Sequence, residues 1–387
     1  MRICIVGKGT SAIVTALKCI QYGHDITIFY DPTQPHVKVG ESTTPLVAGL
    51  VYDVLGLSIH YMAEKRIYSL KSGVKFINWG KGKPFYHHFA NNNVACHFET
   101  DDFNEFINQV LEERGLVKYV PQRVSDYKII NKEVIVNEMT FDHVIFCSGW
   151  SEEGNYYSPI FESVNSAFLF KTEGMSEPNH TIHEATEHGW RVGLPFTFNN
   201  VTKNAYMFNR NIDDVNEIKK MFPDAGYIQW TPRYAKKIVQ NPYCSYSGNR
   251  LLFLEPLHAL ALYYYIQFAE NICEYLKKRN DMNLETTNYN YLYEVWTYQL
   301  ALAYHYNYGS IFDSNFWRQT KQKASMLMGS INNGNEEIFL TNILNDIRFG
   351  EQEPNYSKIG TFSYLDHIQL YPGMKGVTLD QVFRRVN

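Results

Sequence analysis

The chain opens on an apolar block, Ile3-Cys4-Ile5-Val6, that breaks at Gly7. From Ser11 to Tyr22 the apolar positions fall at helical spacing, and Asp25 to Tyr30 is again rich in β-forming residues. Strand, helix and strand in quick succession predict a βαβ unit with a right-handed crossover. The segment Asp101 to Arg114 has apolar residues at helical spacing and stops at Gly115, which predicts a helix with a glycine terminus. From Val117 to Phe146 the pattern turns to short alternating strands, and residues 165–250 are mixed but mostly strand-like. Past Leu257 the character changes: 258–280 and 289–306 read as long helices, and the remainder as helix with loops. No low-complexity linker and no internal repeat interrupts the chain. The pattern predicts an α/β architecture, 1–257, with a helical C-terminal section, 258–387.

Composition narrows the classes. A length of 387 residues has room for two to three domain-sized units. With 45% apolar and 20% charged residues the chain is an ordinary globular one, not a disordered segment, a collagen or a rod. At a net charge of −4, with Lys and Arg scattered among Asp and Glu, nothing forms the basic patch of a nucleic-acid binder. The 29 Tyr and 24 Phe are aromatic enough to line a pocket for a flat ligand as well as a core. Six cysteines (Cys4, Cys19, Cys96, Cys147, Cys244, Cys273) lie far apart without a CxxC pair, against both a zinc site and a secreted disulfide scaffold. No secretory leader precedes the first strand, and the longest apolar stretch, Leu251 to Phe268, is broken by Glu255, Pro256 and His258. The expectation is a soluble, cytoplasmic protein with no metal, no membrane span and no nucleic-acid partner. Its high Tyr and Asn content hints at an A/T-rich genome such as a virus's.

The first chemical signal is Gly7-Lys8-Gly9-Thr10-Ser11-Ala12, a G-x-G-x-x-A turn between strand and helix. One glycine permits the tight turn, the next lets backbone amides approach a pyrophosphate, and a small Ala12 lets helix and strand pack closely. A plain tight turn is the alternative. The acidic residue expected on the ribose is Asp31, one position out of place because Tyr30 holds the usual spot. No second glycine fingerprint follows, so the chain uses either one nicotinamide cofactor or a flavin reduced elsewhere.

Further motifs favour the flavin. Val39-Gly40-Glu41-Ser42-Thr43-Thr44-Pro45 resembles the GE(A/S)T-x-P flavin-contacting strip of the flavin-dependent halogenases, the tryptophan halogenase family. Tyr68 to Trp79 is similar to that family's stretch around its catalytic lysine, matched by Lys71, with Lys75 on a second family lysine and read as structural. Phe85-Tyr86-His87-His88-Phe89 resembles the element whose histidine and phenylalanine sandwich the aromatic substrate, here His87 and Phe89. Cys147-Ser148-Gly149-Trp150, Phe253-Leu254-Glu255-Pro256-Leu257, His305-Tyr306 and Asp313-Ser314-Asn315-Phe316-Trp317-Arg318 follow in the family's order.

The resemblance implies a FAD-binding Rossmann-type domain, p-hydroxybenzoate-hydroxylase-like, with mixed sheets: 1–257 as the FAD-binding box with an interleaved substrate-side sheet, and 258–387 packed on it. It implies cofactor contacts at Gly7, Gly9, Thr10, Ser11, Ala12, Asp31, Gly40, Glu41, Ser42, Thr43 and Pro45. A separate reductase would supply FADH2, O2 would give a flavin hydroperoxide, and halide, the co-substrate, would become hypohalous acid positioned by Lys71 for attack by an electron-rich ring. The backbone amides of Leu260 and Ala261 would contact the halide.

The departures matter. The family's W-x-W-x-I-P reads Trp190-Arg191-Val192-Gly193-Leu194-Pro195, which loses a tryptophan thought to discourage monooxygenation. The family glutamate read as the acceptor of the departing ring proton is replaced by His258, a candidate proton acceptor. The region from Phe362 to Gly373 echoes the family's substrate cap only loosely, which points to a more open pocket and makes free tryptophan a doubtful substrate. A two-component flavin monooxygenase, a NAD-linked oxidoreductase and a non-catalytic flavin-binding relative are the competing readings. The aromatic substrate, the preferred halide and any oligomeric state stay open.

Overall fold

A computed structural model of the chain describes residues 1–34, 40–89, 93–124, 126–149, 155–329, 364–377 and 381. The chain divides into two compact units, each assembled from three separated segments: 1–70, 95–158 and 232–293 in the first, and 71–94, 159–231 and 294–387 in the second. The expected α/β class, with a Rossmann-type sheet and further mixed sheets, is the observed one.

In the first unit, the opening pattern folds as its periodicity predicts. Strand Arg2–Val6 pairs in parallel with Asp25–Phe29 on one side and His143–Phe146 on the other. Val117–Val120 and Cys244–Tyr246 extend the sheet in parallel, and Val239–Asn241 closes it antiparallel, giving six strands. Ile3, Cys4 and Ile5 are fully buried, as a parallel sheet covered on both faces requires. Helix Thr10–Gln21 is the crossover, and Ala12, Ile13, Val14, Ala16 and Leu17 on it are buried. Helix Thr100–Glu113 ends where the glycine signal placed it, with Gly115 at φ +65°. A smaller antiparallel pairing sets Gly40–Ser42 against Ala95–Glu99.

The second unit is built on a seven-stranded sheet. Its order is Gly226–Gln229, Ser166–Glu173, Val201–Phe208, Gly189–Phe196, His180–Thr186, Gly73–Ile77 and Phe85–His88. Every pairing is antiparallel except that of His180–Thr186 with Gly73–Ile77. An aromatic core lies behind it: Trp79 packs edge-on against Trp317 at 5.1 Å and Tyr306 at 5.6 Å, and the Trp190 indole donates to the Tyr306 hydroxyl at 2.7 Å. Much of the unusual aromatic content is thus spent on packing. Among the described residues after 257, the helices are Leu260–Lys277, which belongs to the first unit, Asp281–Tyr308, Asn315–Met328 and Tyr364–Lys375. Among the described residues no helix is long and apolar enough to cross a membrane, and no group of His, Cys, Asp or Glu could hold a metal ion.

Candidate functional site

The site residues expected from the sequence fall into a set in each unit. In the first, Gly7 takes φ +122°, and a Cβ there would meet the backbone carbon and oxygen of Cys147 at 3.0 Å. The chain end after strand His143–Phe146 therefore presses on the turn, and only glycine fits. Gly9 is the opposite case. It is the N-cap of helix Thr10–Gln21, with φ −82° and ψ −177°, and a Cβ on it would meet nothing within 4 Å. The fold itself does not require glycine here, but a ligand approaching the helix N-terminus would. The amides of the helix's first turn lack intrahelical acceptors and carry the positive end of its dipole. Thr10 is buried and donates to Asn104 at 3.0 Å, Ser11 is half-buried, and Ala12 is fully buried. This geometry fits a dinucleotide pyrophosphate.

Asp31 lies just past the second strand. Its Oδ1 accepts from the Thr33 hydroxyl at 2.7 Å and the Thr33 amide at 2.9 Å, which holds the carboxyl below its ordinary range. Tyr30, in the usual ribose position, instead offers its ring face to the Lys8 ammonium at 4.5 Å.

Strand Gly40–Ser42 carries Glu41, paired with Phe98 in register. Desolvation raises its carboxyl to about 7, so that it is largely uncharged below neutral pH. Thr43 is fixed by reciprocal bonds with Cys96: its hydroxyl donates to the Cys96 carbonyl at 2.9 Å and accepts from the Cys96 amide at 3.0 Å. Pro45 opens helix Pro45–Leu55 at its first position, where its missing N–H leaves no bond unmade. Val39 and Trp150, at the edges of their motifs, lie outside the described residues.

His258 and Ala259 both adopt left-handed backbone conformations, φ 61° and 58°, immediately before helix Leu260–Lys277. Such conformations are unfavourable for residues with a Cβ and persist where surrounding structure imposes them. They turn the chain so that the amides of Leu260 and Ala261 form the helix's first turn, without intrahelical acceptors. His258 itself is buried.

The second unit holds Lys71, His87 and Phe89. Lys71 is 1% exposed, and its Nζ stands 5.2 Å from the Phe89 ring centroid. The register that brings them together is set by the pairing of Gly73 with His88 and Val74 with His87, extended by a bond from the Phe89 amide to the Ser72 carbonyl at 3.1 Å. A Cβ on Gly73 would fall 2.3 Å from the His87 carbonyl oxygen, so this close approach excludes any other residue. The Lys71 ammonium also acts on His183: burial first, then that neighbouring charge, hold the His183 imidazole well below its ordinary pKa. Lys75 behaves differently. It is ion-paired with Glu177 at 2.5 Å, and Tyr86 donates to the same carboxylate at 3.1 Å. That pairing engages the Lys75 ammonium.

Two features had no signal in the sequence. The His87 Nε2 lies 2.7 Å from Asp366 Oδ1, on helix Tyr364–Lys375, across 279 residues of chain. The Phe76 ring lies near-parallel to those of His183 and His305, each with its centroid 5.5 Å away. Neither belongs to a local pattern, and both arise from pairing and packing of distant segments.

The chain thus joins a Rossmann-type unit carrying a glycine turn to a mixed-sheet unit holding a buried lysine. Residues 2–99 match the family model described as Tryptophan halogenase. Over 88 residues the chain is 35% identical to tryptophan 6-halogenase ThaL of Streptomyces albogriseolus, a match spanning 21% of this chain and 17% of that relative. The crystal structure of a tryptophan halogenase from Shewanella frigidimarina superposes with a TM-score of 0.80 at 16% identity, covering 100% of this chain and 93% of that one. BrvH, a flavin-dependent halogenase from Brevundimonas sp. BAL3, gives a TM-score of 0.76 at 15% identity, covering 100% of this chain and 94% of that one. The chain has the fold of the flavin-dependent halogenases, and its residues 2–99 carry the tryptophan halogenase sequence pattern.

Proposed function

We propose that this protein is an oxidoreductase that uses reduced FAD, O2 and halide to halogenate an electron-rich aromatic substrate. The observation that carries the reading is the buried Lys71 ammonium against the Phe89 ring, at the position of the family lysine. Gly7, Gly9, Thr10, Ser11 and Ala12 would hold the pyrophosphate, Asp31 the ribose side, and Gly40, Glu41, Ser42, Thr43 and Pro45 the ring system. The reduced flavin, supplied by a separate reductase, would activate O2 and oxidise halide to hypohalous acid. The Leu260 and Ala261 amides, presented by the left-handed His258 and Ala259, would receive the halide. Lys71 would donate a hydrogen bond to the hypohalous acid. Its burial excludes competing water, so the bond is stronger than it would be at a surface. His87 and Phe89 would flank the substrate ring.

A second reading is a two-component monooxygenase. It is favoured by Val192, which stands on strand Gly189–Phe196 in place of the family's second tryptophan. The deciding experiment combines the protein with FAD, NADH, a generic flavin reductase, chloride, bromide or iodide, and a panel of indoles, phenols and anilines. Mass spectrometry reads the products. A halogenated product that disappears in Lys71→Ala supports the halogenase. A product heavier by one oxygen assigns the monooxygenase instead.

A further inference from the structure

Halogenating an aromatic carbon requires a base. The ring's electron pair attacks the halogen of hypohalous acid, a carbon–halogen bond forms, and the oxygen–halogen bond breaks with its pair on oxygen. The carbon is oxidised by two electrons, and the halogen is reduced from +1 to −1. The departing hydroxide takes a proton from the Lys71 ammonium and leaves as water. The ring regains its aromaticity only when the C–H bond at the same carbon gives its pair back and its proton to an acceptor.

We propose that His87 is that acceptor and that Asp366 is the positioning residue that makes it one; this rests on the halogenation reading above. The observations lie within the second unit. His87 Nε2 is 2.7 Å from Asp366 Oδ1. A carboxylate can only accept, so Nε2 carries the hydrogen and Nδ1 is the basic nitrogen. The same carboxylate fixes the orientation of the ring, as an aspartate does for the histidine of a hydrolytic triad. Helix Tyr364–Lys375 is tied to this strand at a further point: Gln369 Oε1 accepts from the His88 amide at 2.6 Å, and its Nε2 donates to the His88 carbonyl at 3.2 Å. The dyad is therefore held on both its main-chain and side-chain sides.

Its place relative to Lys71 follows from strand geometry. His87 and Phe89 are two residues apart on a ladder that runs through the Phe89 amide, so their side chains share a face at a spacing of about 7 Å. Lys71 Nζ lies over that Phe89 ring. An aromatic ring between the lysine and the histidine would meet the halogen donor on one side and the base on the other. His258, which replaces the family glutamate, belongs to the first unit and is the competing base. The His87 imidazole has a carboxylate, that of Asp366, to orient it within the second unit. After each turnover the imidazolium returns its proton to Lys71 or to water, so the sum is arene plus hypohalous acid giving haloarene plus water.

The test uses the full chain with FAD, a flavin reductase, bromide and an aromatic substrate that the wild type halogenates, unlabelled or deuterated at the reacting carbon. In the wild type, attack on the halogen limits the rate and deuteration has no effect. In His87→Gln, and less severely in Asp366→Asn, product formation falls about 10²-fold or more, and a primary deuterium isotope effect appears because proton loss has become limiting. A residue that merely shapes the pocket would slow the reaction without that isotope effect. Independently of turnover, long-range ¹⁵N spectra of the imidazole should show Nε2 protonated in the wild type and the preference lost in Asp366→Ala. Unchanged rates in His87→Gln, slowing with no isotope effect, an isotope effect in His258→Gln in place of His87→Gln, or an Nδ1-protonated His87 would each overturn the assignment while leaving halogenation standing. A wild type that yields no halogenated product from any aromatic would remove both.

Discussion

The Lys71 ammonium sits 5.2 Å from the centroid of the Phe89 ring, within cation–π range, on a side chain that is 1% exposed. A buried ammonium is expensive to desolvate, and a surface lysine would serve stability better. Replacing Lys71 with methionine, similar in length and uncharged, should leave flavin affinity intact. Aryl halogenation should disappear. Lys71→Arg should be equally inactive, because the guanidinium is planar and does not shed its proton. Product mass spectrometry beside a flavin fluorescence titration checks both, and halogenated product from Lys71→Met would remove the lysine from the chemistry.

Gly7 and Gly9 separate stability from binding. Gly7→Ala puts a Cβ at φ +122° against the Cys147 backbone at 3.0 Å, and should destabilise the chain by about 1–3 kcal/mol. Gly9→Val places its Cβ where nothing lies within 4 Å, at an ordinary φ of −82°. Its unfolding midpoint should stay near wild type while FAD affinity falls at least about tenfold, a loss of roughly 1.4 kcal/mol. Denaturant melts paired with cofactor titration distinguish the two. Equal FAD affinity in Gly9→Val would argue that no ligand approaches this turn.

Gly73 brings strands Gly73–Ile77 and Phe85–His88 so close that Gly73→Ala must displace the His87 backbone, whose carbonyl oxygen would be 2.3 Å from the new carbon. The expected result is a less stable second unit and weakened halogenation, with flavin binding in the first unit unaffected. Hydrogen exchange should show increased opening along Phe85–His88. Wild-type protection there would contradict the contact.

The fully buried His143, whose Nε2 is 2.8 Å from the Ser245 hydroxyl, sets a pH dependence of stability. Burial pushes its pKa down from 6.5 to about 3. Below pH 6.5 the unfolded chain takes up a proton that the folded chain refuses. Its contribution is therefore complete above pH 6.5 and is lost as the pH falls toward 3. Between pH 6.5 and 5 this histidine should account for about 1.5–2 kcal/mol of lost stability. His143→Gln, still able to bond Ser245, should flatten that part of the profile, and an unchanged slope in urea melts across this range would refute the assignment.

The amino-acid sequence by itself determined what local rules can determine. The glycine turn at Gly7 to Ala12, its flanking strands and helix, the stop at Gly115 and the helices after Leu257 were all legible, because periodicity and φ preferences act over a few residues. The resemblance likewise placed Lys71 and distinguished it from Lys75. What made that distinction physical was tertiary: Lys71 is 1% exposed, whereas Lys75 is half-buried and ion-paired with Glu177, on a segment 102 residues away. The same holds for the 279-residue reach from His87 to Asp366, for the left-handed His258 and Ala259 in a stretch without glycine, and for the interleaving of three segments into each unit. None of these has a local signature. Strand register and helix docking choose a side chain's partner and a backbone's strain, and both are settled only when distant segments pack and exclude water together.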